Sequence, residues 1–405
     1  MHILFADAFH SDYADIVRER GHACTFEPGL SADDLPAAIG GHDVLVVRST
    51  KVTARAIEAA GGLGLIIRAG AGTNTIDKRA AAARGIYVCN VPGRNAIAVA
   101  ELAFGLVMSL DRRIPDNVAD LRAGTWNKKR YSKAEGLYGR TVGVVGLGDI
   151  GLAFAERAAA FGLEVRAIAR PHRPPSVMAR AEHAGITFVD DLSTLAATCD
   201  ILSFHVPLTD DTQAMIDAEL LAHVRPGSWI INTSRGEIVD EDALLDALDA
   251  RDLRAGLDVY REEPPSSTGT FDSALARHPR VYGTHHIGAS TEQAQRAIAA
   301  EVVAMLDAYA RGEVRNCVNI ESQPVGNATL VVRHLDQVGV LSDVLNVLRR
   351  CNLNIEQMHN VVFAGRTAAV ATIHTAGTTP DDLADQLNAV DRVLHVSVQV
   401  ADGTA

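Results

Sequence analysis

Eight short aliphatic runs recur through the first two thirds of the chain: HILFADA (2–8), DVLVVRS (43–49), LGLIIRAG (63–70), TVGVVGLG (141–148), LEVRAIA (163–169), ILSFHV (201–206), SWIINTS (228–234) and RAGLDV (254–259). Within them Val, Ile and Leu follow one another with little polar alternation, the pattern of strands covered on both faces. Ala- and Leu-rich stretches at helical spacing lie between the runs. This rhythm continues to about residue 318, and it predicts a doubly wound α/β fold with parallel sheets.

Residues 95–123 are apolar at helical spacing and are interrupted at Pro115, which cannot donate to the helix ladder. They read as a long core helix, or as one that spans two lobes and carries an oligomer contact. After Ile320 the pattern changes. ESQPVGN (321–327), with its Pro and Gly, reads as a linker occupying 319–327. Beyond it come ATLVVRH (strand), VGVLSDVLNVLRRC (helix), NIEQMHNVVF and RTAAVATIHT (strands), TPDDLADQLNAV (helix) and RVLHVSVQV (strand). That order, βαββαβ, predicts a separate ferredoxin-like module over 328–405. Thr379 is the expected N-cap of its second helix, ahead of Pro380 and two aspartates.

Composition narrows the function. At 405 residues, with 47% hydrophobic and 22% charged positions, the chain can bury a large core and is not disordered. A formal net charge of −12 argues against nucleic-acid binding, which needs a basic field. No run approaches the roughly 18 uncharged apolar residues of a membrane span, and MHILFADAFHSDY does not read as a signal peptide. Five scattered cysteines without CxxC spacing suit free thiols in a reducing compartment. A cytoplasmic protein is the expectation.

The first chemical motif is Gly146-x-Gly148-x-x-Gly151, set between a Val-rich run and an Ala-rich helix. The first glycine permits the tight turn, the second lets backbone approach a pyrophosphate, and the third packs helix on strand. Free amides of the helix start (Asp149, Ile150, Gly151) then face the phosphates. Coenzyme choice is set at the end of the next run, which reads Ala169-Arg170-Pro171-His172-Arg173. An NAD site usually carries an acid there for the ribose 2′-hydroxyl; here Arg170 and Arg173 can clamp a 2′-phosphate. The reading is NAD or NADP, leaning to NADP.

Three further segments stand in order: NTSRGEIVDEDAL with Arg235, LDVYREEPP with Glu263, and THHIGAST with His286. With RSTKVT (48–53), RAGAGTNTID (68–77) and the glycine loop, they make the chain resemble the D-isomer-specific 2-hydroxyacid dehydrogenases over nearly its whole length. Within that family the likeness is greatest to the D-3-phosphoglycerate dehydrogenases that carry a C-terminal ACT domain. The resemblance implies a Rossmann-like cofactor lobe (95–286) inserted in a flavodoxin-like substrate lobe (1–94 and 287–318). It also implies His286 as acid/base, Glu263 as its partner and Arg235 as the substrate anchor. A histidine suits proton transfer near neutrality, a carboxylate favours its charged form, and an arginine fork grips a carboxylate. Adjacent His285 and His286 would face opposite ways in extended backbone; His286 and the Glu before Pro264 match the family pattern. No other ligand at regular spacing supports a metal site.

The resemblance carries further cofactor contacts to Val206, Thr233, Asp258, Gly288 and Ala289. For the substrate it points to the backbone of Arg68, Ala69 and Gly70, with Arg48, Lys51 and Arg68 for a phosphate end. The run Lys128-Lys129-Arg130 would add charge from a neighbouring subunit. Asp149 stands where relatives often carry Arg, Ala71 where a Thr is common, and His285 where Pro is frequent. In the C-terminal module His334, Asp336 and Asn354 match an amino-acid effector site, with serine as the effector; Asp336 and Val338 depart from the usual Asn and Pro. The implied function is oxidation of 3-phosphoglycerate in serine synthesis by a homodimer or homotetramer acting on a small anionic acid. An NADPH-dependent glyoxylate or hydroxypyruvate reductase is the alternative enzyme, and a non-catalytic dinucleotide-sensing regulator the alternative of another class.

Overall fold

The computed structural model describes residues 1–264, 268–321 and 326–400, so the stretch 322–325 of the expected linker lies outside the described residues. The chain separates into two compact units, Met1–Asn319 and Ile320–Ala405. In the first unit β1 (His2–Phe5), β2 (Ala23–Phe26), β3 (Val44–Val47), β4 (Leu65–Arg68) and β5 (Tyr87–Asn90) form one sheet. A second sheet comprises β6 (Thr141–Val145), β7 (Glu164–Ile168), β8 (Thr187–Val189), β9 (Ile201–Phe204), β10 (Trp229–Asn232), β11 (Arg254–Leu257) and β12 (Val281–Gly283). Their orders are β2-β1-β3-β4-β5 and β12-β11-β10-β9-β6-β7-β8, with every neighbouring pair parallel. Both orders are doubly wound. The second reverses between β6 and β9, and such a switch point opens a crevice at the carboxyl ends of the strands.

All eight aliphatic runs became strands, and the four strands with no such run, β2, β5, β8 and β12, are the sheet edges. Each sheet is covered on both faces. Helices Ala96–Arg112 and Asp149–Ala160 bury Phe104, Leu106, Leu152 and Phe154 on one side of the larger sheet, and helices such as Glu241–Ala250 bury Leu244 and Leu248 on the other. Helix Glu292–Ala310 follows the larger sheet in sequence but packs Ile298, Val302 and Leu306 onto β1, β3 and β4. The chain therefore returns to the smaller sheet after completing the larger one.

The 95–123 segment is two helices. Ala96–Arg112 is mostly core, Arg113 adopts a left-handed φ of 50°, and Ile114–Arg122 begins anew with no buried residue. The break falls two residues before the proline because Pro115 takes the first turn of the new helix, where a missing N–H is harmless.

In the second unit β13 (Ala328–Leu335), helix Val340–Arg350, β14 (Asn354–Val362), β15 (Ala368–Ala376), helix Leu383–Asn388 and β16 (Val393–Val400) follow in that order. The strands make an antiparallel sheet β14-β15-β13-β16. Its second helix starts later than its sequence suggests. Pro380 to Leu383 form a turn, the Leu383 amide bonding the Pro380 carbonyl, and the Thr379 hydroxyl caps nothing. No helix among the described residues is long and apolar enough to cross a membrane.

Candidate active site

Of the three glycines after β6, the fold itself requires two. Gly146 has φ +99°, and a Cβ there would lie 2.4 Å from the His205 carbonyl oxygen. A Cβ on Gly151 would strike the Gly146 carbonyl, whereas Gly148 faces open space. Gly148 caps helix Asp149–Ala160 without any side-chain bond, so the Asp149, Ile150 and Gly151 amides keep free donors at the positive end of the helix. The Thr233 hydroxyl, buried beyond β10, has no hydrogen-bond partner among the described residues. A cradle of free amides after β6 and an orphaned hydroxyl after β10 of the same parallel sheet fit a dinucleotide. His205 lines this loop as a neutral ring: burial pushes it down to about 3, and Ser203 Oγ holds its Nε2 at 2.8 Å. Val206, next in sequence, is buried. The Asp149 carboxylate turns toward Gly93, where a Cβ would come within 2.8 Å of it.

Arg235, Glu263 and His286 follow β10, β11 and β12 and meet at one end of the larger sheet. His286 Nδ1 lies 2.7 Å from Glu263 Oε2, and Glu263 Oε1 accepts the Tyr260 amide at 3.0 Å. Burial would raise the Glu263 carboxyl; hydrogen bonds from His286 and the Tyr260 amide, with the charges of His286 and Arg235, outweigh it and hold the group below its ordinary value. His285 is exposed and is not the ring that meets Glu263. Arg235 directs its guanidinium across the cleft to Gly72 of the smaller-sheet lobe, and a Cβ on Gly72 would collide with it. Its turn is held by Asn232, buried, whose side chain bonds the Arg235 carbonyl at 2.8 Å and both donors of Ser234.

Asp258 does more than the sequence suggested. It is buried, and its main-chain carbonyl accepts the His286 amide at 2.8 Å. Its carboxylate accepts the Thr284 hydroxyl at 2.6 Å, the Ile287 amide at 2.8 Å and the Gly288 amide at 2.9 Å. These bonds hold His286 at φ +52°, a conformation a non-glycine residue keeps only under tertiary constraint. The Gly288 amide is thus occupied, and the Ala289 carbonyl accepts Gln295 at 2.9 Å. Thr284→Val leaves the carboxylate in place and removes one restraint; kcat should fall about tenfold, since small misplacement of a reacting group is costly. Thr284→Ser should restore it, and steady-state kinetics of the pair check this.

On the opposite wall, Arg68 is half-buried, and its pKa falls to about 10 through desolvation and the repulsion of Arg235 and Arg48, relieved in part by Asp7. Three guanidinium groups thus stand within electrostatic reach of one another, a cluster suited to an anion. Asp7, which the motifs did not single out, folds the loop that bears Arg48: its carboxylate accepts the amides of Arg48 at 2.6 Å and of Ser49 and Thr50 at 3.1 Å. Lys51 is exposed and takes no part in the couplings on Arg68. The Ala69 and Gly70 amides, expected at the substrate, are already spent on the Val47 and Arg68 carbonyls at 2.7 and 2.8 Å. The expectation therefore passes to Ala71, whose carbonyl Asn90 holds at 2.6 Å, and to Gly72. Arg130 of the basic run is tied within its own chain to Asp120 at 3.0 Å, which leaves Lys128 and Lys129 exposed.

At the end of β7, Arg170 is exposed. Arg173 bends back, donating to the Ile168 carbonyl at 2.6 Å and lying 5.3 Å over Phe188. In the second unit His334 is buried, its ring bonded to the Leu335 carbonyl at 2.8 Å and to Asn360 at 3.2 Å. Asp336 follows it, but Asn354 stands at the other end of β14, where it pairs with Ala376 while His334 pairs with Ala369. One chain does not bring these three together. Among the described residues, no group of three His, Cys, Asp or Glu could hold a metal.

The profile described as "D-isomer specific 2-hydroxyacid dehydrogenase, NAD binding domain" matches residues 104–288. D-3-phosphoglycerate dehydrogenase of Methanocaldococcus jannaschii is 42% identical over 325 residues, 80% of this chain and 60% of that protein. Hydroxypyruvate reductase of Thermotoga maritima is 42% identical over 276 residues, 68% of this chain and 87% of that protein. Among solved structures, an acyclic imino acid reductase (Bsp5) in complex with NADPH and D-Arg superposes with a TM-score of 0.69 at 25% identity, covering 78% of this chain and 100% of that one. The matched region thus spans about 60% of the length of the M. jannaschii protein.

Proposed function

The chain belongs to the D-isomer-specific 2-hydroxyacid dehydrogenases, and on that premise we propose that it is a D-3-phosphoglycerate dehydrogenase of serine synthesis. The observation that carries the reading is the convergence of Arg48, Arg68 and Arg235 beside the Glu263–His286 pair. One cationic centre suffices for a carboxylate; three suit a substrate with a second anionic end. Gly146, Gly148, the amides of 149–151 and Thr233 would hold the dinucleotide, which supplies the hydride acceptor. With Nδ1 committed to Glu263, His286 offers Nε2 to the C2 hydroxyl and takes its proton, and Glu263 stabilises the imidazolium so formed. Arg235 grips the carboxylate and polarises C2–O. In reduction the same proton returns.

The exposed Arg170 and the absence of an acid after β7 support NADP over NAD. Arg173, held against the Ile168 carbonyl, would shape that strand end rather than clamp a phosphate with both arms. The second reading, an NADPH-dependent hydroxypyruvate or glyoxylate reductase, draws on the same feature and on the likeness to the T. maritima enzyme. Steady-state reduction of phosphohydroxypyruvate, hydroxypyruvate and glyoxylate with each coenzyme tests both. A kcat/KM at least tenfold higher for phosphohydroxypyruvate is the expected result; preference for an unphosphorylated acid overturns the phosphate reading. Arg170→Ala should raise KM for NADPH about tenfold and leave NADH unchanged, as loss of a charge-assisted contact requires. No turnover with any 2-oxo acid would favour the dinucleotide-sensing regulator.

For the C-terminal unit the reading is an ACT-type amino-acid sensor working in pairs. Since His334 and Asn354 stand apart in one chain, β14 of a second copy would complete a site with His334 and Asp336. Exposure along the whole of edge strand β14 supports this, as does the uncovered helix Ile114–Arg122 for a dimer contact in the first unit. Serine titration of activity at controlled oligomeric state checks it.

A further inference from the structure

Two of the five cysteines, 89 and 317, are brought face to face by the fold. Cys89 lies in β5, and the segment 316–319 adds to that edge in the antiparallel sense, with Cys89 opposite Cys317. The Asn90 amide donates to the Asn316 carbonyl at 3.2 Å and the Val318 amide to the Val88 carbonyl at 2.8 Å. Bonds placed on the flanking residues make Cys89 and Cys317 a non-hydrogen-bonded pair, whose Cα atoms approach to about 4.5 Å, inside the roughly 4.4–6.8 Å range of disulfides. Both are free thiols. Asn319 fixes the register: its side chain accepts the Val88 amide at 2.8 Å and the Cys317 thiol at 3.2 Å, and donates to the Ile86 carbonyl at 2.9 Å. The other three cysteines have no cysteine neighbour of this kind.

We propose that Cys89 and Cys317 are a reversible oxidation site, a cross-strand dithiol that closes to a disulfide and fastens the last segment of the first unit to β5. Because residues 89 and 317 bracket the larger sheet in sequence, the bond would enclose that whole lobe in one covalent loop. A small-molecule disulfide such as oxidised glutathione is the oxidant. The half-buried Cys317 thiolate attacks one of its sulfurs and expels one glutathione thiolate. Cys89 then attacks the Cys317 sulfur of the mixed disulfide and expels the second. The cysteines lose two electrons and two protons, and the glutathione disulfide is reduced to two glutathiones. Cys89 is buried, and burial together with the adjacent Cys317 thiol pushes its pKa well up. The second step is therefore the slow one, and it accelerates with pH.

The test treats the full chain with oxidised glutathione, alkylates the remaining thiols and maps the peptides with and without reductant. The expected result is three alkylated cysteines out of five, a peptide joining 89 to 317 without retained glutathione, and a Tm raised by roughly 5 °C that dithiothreitol reverses. Cys317→Ser, at the less buried position, should abolish the cross-link and the shift together, whereas Cys199→Ser should keep both. Five alkylated cysteines, a lasting glutathione adduct on Cys317 or a cross-link to another cysteine overturns the proposal.

Discussion

His286→Asn is expected to lower kcat by about 10³-fold in both directions, within the roughly 10²–10⁴ that a positioned acid/base contributes, with KM for the acid within a few-fold of the parent. Asparagine can occupy the turn that Asp258 shapes at residue 286, since it tolerates left-handed backbone better than most residues, so the loss reports chemistry rather than folding. Glu263→Gln gives the companion result. The carboxylate is held below its ordinary value in spite of burial because His286 and the Tyr260 amide bond it. It therefore stays ionised at neutral pH, and its share of the pair is lost only as pH falls through that lowered value. Removing the charge withdraws support from the imidazolium. Glu263→Gln should therefore lower kcat about tenfold, and Glu263→Asp, which keeps the charge, should recover part of the loss. A His286→Asn enzyme with parental kcat would remove this residue from the mechanism; a parental kcat in Glu263→Gln would reduce Glu263 to a structural contact.

Arg235→Gln should reduce kcat/KM for the 2-oxo acid by about 10³-fold, mostly through KM, while KM for the coenzyme stays the same. Truncating one member of a desolvated ion pair costs on the order of 2–5 kcal/mol, and the guanidinium also polarises the reacting carbonyl. Gly72→Ala offers an independent route to the same defect, because the added Cβ would occupy the place of the Arg235 guanidinium. Its effect should approach that of Arg235→Gln, and the two should not add in the double variant, as expected when both act on one contact. Additive losses would mean that Gly72 matters for some other reason.

The central strands and the glycine loop were legible because each leaves a local trace. β3, β4, β6, β9 and β10 lie inside their sheets and are written as mostly apolar runs; β2, β8 and β12 are edges with mostly half-exposed residues, so no such run marks them. Gly146 and Gly151 were readable because a tight turn and a close helix leave no room for a Cβ. The partition of work within the site was not. Whether His285 or His286 meets Glu263, that Asp258 binds the loop of His286, and that Asp7 folds the loop of Arg48 all depend on residues far apart in sequence meeting at strand ends. The same is true of Cys89 and Cys317, which composition alone read as scattered free thiols. Periodicity and glycine spacing by themselves determined that this chain builds doubly wound parallel sheets around a phosphate-accepting turn. Which side chains face one another across the cleft, and which backbone donors are already spent, only the tertiary structure decided, because those contacts are set by long-range packing that no local pattern encodes.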